Sequence, residues 1–260
     1  MSKNIDRIGE KNINKFGSEM MIVGYRNAFD IDVYFPEYNW IFKKTYYSVF
    51  KDGKTKCPYE PRVYGKGYIG EGKYKSRVNG EKTKMYKFWI GMLQRCYDEK
   101  FQEKHPTYKG CSVCKEWLNF QNLAKWYEEN YYEIDGQRMC VDKDILIKGN
   151  KIYSPQTCMF VPHIINTLFI KSDKIRGSYP IGVSYDKECD KYRSVCKVYD
   201  FKNKKQKSKH LGRYNTTEEA FMSYKFFKEN YIKEIAEYYK DKIPSNLYNA
   251  MYKYTVEITD

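Results

Sequence analysis

Three oxygen-bearing side chains crowd one short stretch of the sequence: Asp142 and Asp144 flank Lys143, and Asn150 follows. Carboxylates and an amide carbonyl suit a hard divalent cation, so Asp142, Asp144 and Asn150 could gather Mg²⁺. The competing reading is structural: the aspartates cap turns, and Lys143 pairs with either of them. A protonated lysine is also a poor general base unless burial drives its pKa far down. Downstream, His163 carries a ring that can exchange protons near neutral pH, yet after Pro162 such a residue is more often a surface or helix-start histidine than a ligand.

The second chemical signal is cationic. The chain has 260 residues, 47 Lys/Arg against 33 Asp/Glu, and a net charge of +14. The charge is clustered. Residues 41–90 hold 13 Lys/Arg against 4 Asp/Glu, and residues 187–213 hold 10 against 3, so the remainder is close to neutral. Phosphate contact requires such modules, because neutralising a duplex releases its condensed counterions. Nucleic acid is therefore the first expected partner, ahead of an anionic membrane surface or an acidic protein. The bland alternative is a solvated lysine-rich surface.

Aromatic residues make up 18% of the chain, which argues for a folded protein, since disordered chains are aromatic-poor. No apolar run approaches the ~20 residues that span a bilayer, and the first ten residues are polar, so no membrane span or signal peptide is expected and the expected location is the cytoplasm. There the 8 cysteines are expected as thiols. Cys111 and Cys114 have zinc-ligand spacing, and Cys140 and Cys158 could complete a set of four, but neither is paired at that spacing. Buried apolar cysteines are the preferred reading, and zinc is not expected.

The elements that must position these residues follow from periodicity. Residues 1–80 read as β, with alternation at Ile31-Asp-Val-Tyr-Phe35, an aromatic strand-like 46–50, and a hairpin turn at Asp52-Gly53. Gly65-x-Gly67-x-x-Gly70 has no strand–loop–helix around it and reads as a turn-rich edge hairpin, not a nucleotide loop. Helical spacing appears over 82–99 and again over 115–131, where the aromatic stripes are expected core. A strand over 139–147, a turn, a further strand at Ile152-Tyr153, a short helix from Ser154-Pro155 and a helix near 163–168 follow. A charged linker over 171–179 leads to three short strands (181–185, 192–198, 209–214) and a helix over 218–240, opened by a Thr216/Glu219 capping box and stopped by Pro244. The tail is expected to dock back as a short helix and strand. The fold class is thus α+β, in several modules: a small β-rich one over 1–80, a helical plus ββα one over 81–170, a three-stranded sheet packed on one helix over 178–240, and a tail over 241–260.

Two resemblances attach to these segments. Lys87-Phe-Trp-Ile-Gly-Met-Leu-Gln-Arg-Cys-Tyr97, Cys111-Ser-Val-Cys-Lys-Glu-Trp-Leu-Asn-Phe120, Val141-Asp-Lys-Asp-Ile145 and Tyr153-Ser-Pro-Gln-Thr-Cys-Met-Phe-Val161 together resemble phage proteins of the HNH homing-endonuclease type, over about residues 84–170. Ile181-Gly-Val-Ser-Tyr185, Lys191-Tyr-Arg193, His210-Leu-Gly-Arg-Tyr-Asn-Thr-Thr-Glu-Glu-Ala220 and Tyr224 are similar to the Apetala-type DNA-binding domain, which is often fused to HNH modules in phage proteins. The first resemblance implies a ββα site where a histidine base activates water beside one divalent ion. Carried over by position, its candidates are Asp142, Lys143, Asp144, Thr157, His163 and Asn166. The expected histidine is Lys143 here and the expected asparagine is Thr157, so the catalytic set departs from the family pattern. The second resemblance implies a sheet lying in the major groove, backed by the helix. Its candidate DNA contacts are Tyr185, Lys187, Lys191, Arg193, Lys197, Lys205, Lys207, Lys209 and Arg213. Because sheet residues alternate, one face is free to project. Arg193 and Arg213 suit base edges, since a guanidinium bonds guanine bidentately, while the lysines of 202–209, expected in the hairpin loop, track phosphates.

The expected function is therefore that of a double-stranded-DNA-binding protein of the phage homing-endonuclease type with a degenerate nuclease site. The alternative is a non-catalytic phage protein that binds and inhibits a host defence complex; the substituted catalytic positions and the aromatic surplus favour it.

Overall fold

A computed structural model describes residues 6–170 and 178–260 of this α+β chain. Most of the expected linker over 171–179 lies outside the described residues. Two compact units emerge: Met1–Asn130 with Lys151–Ser154, and Tyr131–Asn150 with Pro155–Asp260. The stretch 81–170, expected as one module, is shared between them.

In the first unit, β1 (Lys11–Ile13), β2 (Glu19–Asn27), β3 (Asp30–Phe35) and β4 (Trp40–Thr45) form an antiparallel meander in that order. Alternation along β3 sends Ile31, Val33 and Phe35 inward to meet Met20, Ile22, Phe50 and Cys57, all fully buried. Each large apolar side chain so buried contributes roughly 1.5–3 kcal/mol. Residues 46–50, expected to be strand-like, instead enter a short helix, α1 (Tyr47–Lys51). Asp52-Gly53 is consequently a helix end and not a hairpin. Gly53, at φ +66°, donates to the Phe50 carbonyl, and Lys54 donates to that of Val49. Asp-Gly supplies a positive φ, and that closes a helix as readily as it reverses a strand.

The glycine-rich stretch holds a small antiparallel bridge, Val63 with Gly67, and a parallel one, Tyr68 with Asn119. A Cβ at Gly67 would overlap the side chains of Leu93 and Trp89, so glycine there lets the backbone lie against the next helix. A two-stranded hairpin follows, β5 (Arg77–Val78) and β6 (Glu81–Lys82), turning at Asn79 and Gly80, both with positive φ. Thr83 then caps α2 (Lys84–Tyr97), its hydroxyl accepting from Tyr86 N at 3.3 Å. α2 buries Trp89, Met92, Leu93 and Cys96, and α3 (Glu99–Lys104) continues it. The single helix expected over 115–131 is broken. A 3-10 turn over Lys115–Leu118 ends at Asn119, whose extended backbone and Oδ1, accepting from Gln121 N, restart the chain as α4 (Phe120–Asn130). The aromatic stripes are core, as expected: Trp117, Phe120, Trp126 and Tyr127 are buried, and Trp89 Nε1 donates to the Trp117 carbonyl at 2.8 Å. β7 (Ser112–Val113) pairs in parallel with β9 (Ile152–Tyr153).

In the second unit, β8 (Met139–Asp142) pairs antiparallel with β10 (Met159–Pro162), which runs into α5 (His163–Leu168). The strand expected over 139–147 stops at Asp142, because its Oδ1 accepts from the backbone amides of Asp144 and Ile145 and turns the chain. Ser154-Pro155 opens a turn and not a helix. Next come β11 (Val183–Asp186), β12 (Lys191–Asp200) and β13 (Lys205–Tyr214), an antiparallel sheet in that order, then α6 (Thr217–Tyr239) and α7 (Ser245–Tyr252). The capping box is present in full: Thr216 accepts from Glu219 N, and Glu219 accepts from Thr216 N. The first half of α6 packs Ala220, Phe221 and Tyr224 against Val183 and Cys196 of the sheet. Its second half joins Ile145, Met159, Val161 and Ile165. One helix thus braces both the three-stranded sheet and the β8–β10–α5 segment. The tail docks back as α7, with Leu247, Met251 and Val256 buried, but without the expected strand among the described residues. No described helix is long and apolar enough to cross a membrane.

Candidate nucleic-acid interface

The three-stranded sheet turns one face to α6 and the other outward. On the middle strand, Ser194, Cys196 and Val198 are buried toward the helix, while Arg193 and Lys197 are exposed on the other face. Cross-strand partners share a face. Arg193 is opposite Arg213 on β13 and Ser184 on β11, and Lys191 is opposite Asp186. Lys191, Arg193, Lys197 and Arg213 therefore belong to the outer face. Arg213 Nε donates to Asp186 Oδ2 at 2.9 Å, and this pairing draws the Asp186 carboxyl below its usual range. Arg193 has no ion-pair or hydrogen-bond partner for its side chain among the described residues.

The remaining expected contacts fall elsewhere. The register slips between Ser194, opposite Gly212, and Val195, opposite His210, so Leu211 is an extra residue on β13. Such a bulge reverses the alternation beyond it. Lys209, Lys207 and Lys205 are opposite Cys196, Val198 and Asp200, on the α6 side of the sheet. Lys209 Nζ lies 4.5 Å from the centre of the Phe227 ring of α6, and Lys207 Nζ bonds Asp200 Oδ2 at 3.3 Å. These three lysines lie in β13 itself and not in the hairpin loop, which is confined to 201–204. Tyr185 also faces the helix side, its hydroxyl bonded to Asp190, and Lys187 is exposed in the turn after β11. In their place the bulge brings His210 and Ser208 to the outer face. Alternation alone misses both; the isolated Gly212, at φ +147°, is the available signal for a bulge.

The acidic turn is built differently from a metal centre. Lys143 Nζ donates to Asp144 Oδ2 at 3.0 Å and to the Asn150 carbonyl at 2.9 Å, and Asn150 Nδ2 donates to the Lys143 carbonyl at 2.7 Å. Asp142 spends Oδ1 on two backbone amides. Burial, then the neighbouring Asp144 charge, raises its carboxyl to about 6. The ammonium thus holds Asp144 Oδ2, and Asp142 Oδ1 is shared by two amides, so two of the oxygens that Mg²⁺ would need are already engaged and the donor set fits that ion poorly. Nor does any group of three or more His, Cys, Asp or Glu able to hold a metal occur among the described residues. Thr157 is buried next to the buried Cys158. His163 is exposed at the start of α5, where its Nδ1 meets Cys140 Sγ at 3.6 Å, and Asn166 is half-buried one turn on. Among the described residues no hydrogen bond joins His163 or Asn166 to Asp142. Lys148 ties the turn to the tail, Nζ bonding Asp260 Oδ2 at 2.7 Å.

Cys111 and Cys158 are buried, and Cys114 and Cys140 are half-buried; no disulfide joins any of the cysteines among the described residues. The first two residues of the possible zinc set, Cys111 and Cys114, belong to one unit, and the other two, Cys140 and Cys158, to the other. In comparisons with known proteins, no family model, no curated relative and no solved structure matches this chain.

Proposed function

We propose that this chain is a duplex-DNA-binding protein of the phage homing-endonuclease type. It reads the major groove with the outer face of β11–β13 and has a β8–β10–α5 segment that serves as structure and not as a nuclease. The observation that carries the reading is the cationic sheet face: Arg193 without an ion-pair or hydrogen-bond partner for its side chain among the described residues, Arg213 held beside it by Asp186, and Lys191 and Lys197 flanking them. A major groove admits a two-stranded β-ribbon such as β12–β13, and a guanidinium presented there can bond guanine O6 and N7. Lys187, exposed in the turn after β11, fits phosphate contact, which positions without specifying. The ammonium seated in the acidic turn supports an inert scaffold, since it already holds Asp144 Oδ2 and the Asn150 carbonyl.

The test is fluorescence anisotropy of the purified full chain on duplex oligonucleotides, with a selected sequence found by enrichment from a random pool. Binding with a selected motif is expected, and Arg193→Ala is expected to lose that preference. Failure to bind any duplex in low salt removes this reading and leaves the inhibitor of a host protein complex as the one to pursue.

A further inference from the structure

The β5–β6 hairpin lies in the first unit, away in sequence from the proposed reading sheet, and is unusual in composition. All four strand residues, Arg77, Val78, Glu81 and Lys82, are exposed, and so are the turn residues Asn79 and Gly80. Asn79-Gly80 fixes the register, with φ of 49° and 81°, as a two-residue hairpin turn requires. That register sets Arg77 directly opposite Lys82. Like charges across an antiparallel pair repel. The hairpin is also flanked by Lys75 and Lys87, both exposed, and Arg77, Lys75, Lys82 and Lys87 make no ion pair among the described residues. Arg77 donates to the Gly80 carbonyl, at 2.6 Å. The root of the hairpin is well held: Thr83 donates to the Lys75 carbonyl through Oγ1 and to that of Ser76 through its amide, and the same residue caps α2. A rigidly rooted ribbon thus projects an unneutralised cationic pair with Val78, 52% exposed, at its tip.

We infer that the β5–β6 hairpin is a second duplex-DNA contact, in which Arg77 and Lys82 straddle the phosphate backbone. Charge complementarity identifies the occupant: a phosphate between the two side chains turns their mutual repulsion into two charge-assisted hydrogen bonds. Arg193 and Arg213 in the second unit repeat the arrangement of opposed cations on a β-ribbon. The inference rests on the DNA-binding reading but concerns separate residues, so the two can fail separately.

The experiment measures binding of the full chain to a 40-base-pair duplex (an experimental choice of about four helical turns) across a salt series. Arg77→Ala with Lys82→Ala is expected to weaken binding to every sequence alike and to flatten the slope of log Kobs against log salt by about 1.8, near 0.9 for each lost phosphate contact. Glu81→Lys is expected to tighten binding and steepen the slope by about 0.9; a gain cannot come from misfolding. If the double variant and Glu81→Lys both match the parent while Arg193→Ala still loses sequence preference, the hairpin inference is overturned and the sheet reading stands. It is equally overturned if the hairpin variants change binding to single-stranded RNA or to an acidic polypeptide but not to the duplex. If the parent chain binds no duplex at all, both readings fall.

Discussion

Arg193 and Arg213 are direct cross-strand partners on β12 and β13, and only Arg213 is tethered, through Nε to Asp186 Oδ2 at 2.9 Å. Two guanidinium groups on adjacent strands repel. Asp186, on the far strand of the same sheet, offsets the repulsion by neutralising one of them, which leaves Arg193 as the guanidinium of the pair with no ion-pair partner among the described residues.

Arg193→Ala is therefore expected to reduce discrimination between the preferred site and a scrambled duplex by about 1–3 kcal/mol, the worth of one bidentate base contact. Arg213→Ala is expected to have a smaller effect on discrimination, since its side chain is already engaged. Competition anisotropy with both duplexes measures this. Equal and sequence-independent losses in the two variants would contradict base readout by Arg193.

Lys205→Ala addresses a different role. This lysine is on the α6 side of β13, away from the face proposed to meet DNA, so its removal is expected to leave affinity and sequence preference close to those of the parent. A change in the preferred sequence would show that it reaches a base.

The acidic turn predicts an unusual pH response. Burial and Asp144 raise the Asp142 carboxyl from 3.8 to about 6. Between those values the folded chain binds the proton more tightly than the unfolded chain does, so this group's contribution to stability is present at low pH and is lost as pH rises from about 4 through 6. Asp142→Asn keeps an Oδ1 to accept from the amides of Asp144 and Ile145 but has no charge to bury. It is expected to be more stable than the parent by roughly 1–3 kcal/mol at pH 7.5, with the gap closing by pH 4. Urea melts followed by circular dichroism across that range check it; a variant less stable at pH 7.5 would refute the assignment.

No metal-dependent cleavage is expected. Supercoiled plasmid incubated with the chain and Mg²⁺ or Mn²⁺ is expected to stay intact, because the Lys143 ammonium already holds Asp144 Oδ2 and the Asn150 carbonyl. Nicking that disappears in Asp142→Ala would establish an active site after all.

The β11–β13 sheet depends on a close approach at Gly182. Its φ is +79°, and a Cβ there would overlap the Tyr224 ring of α6. Gly182→Ala is expected to cost about 1–3 kcal/mol, more than the ~1 kcal/mol expected for Thr216→Ala, which only removes a helix cap. Thermal melts of the two variants rank them.

Features set by neighbouring residues are legible in the sequence itself. The Thr216/Glu219 box opens α6, the spacing of Trp89 and Leu93 marks α2, and the charge clusters pick out the cationic stretches, because capping, helical period and charge are properties of adjacent residues. Where one local signal serves two structures, the sequence leaves a choice: Asp52-Gly53 closes a helix here instead of a hairpin, and Asn119 splits a helix that periodicity runs together. The candidate site shows the limit most plainly. Lys205, Lys207, Lys209 and Arg213 share odd numbering, and simple alternation puts them on one face. The extra residue at Leu211 turns the three lysines toward α6 and leaves Arg213 outside with Arg193. Which face a strand residue takes is fixed by the register of its neighbour and by the packing of Leu211 toward the core, and both exist only once the sheet and α6 have come together.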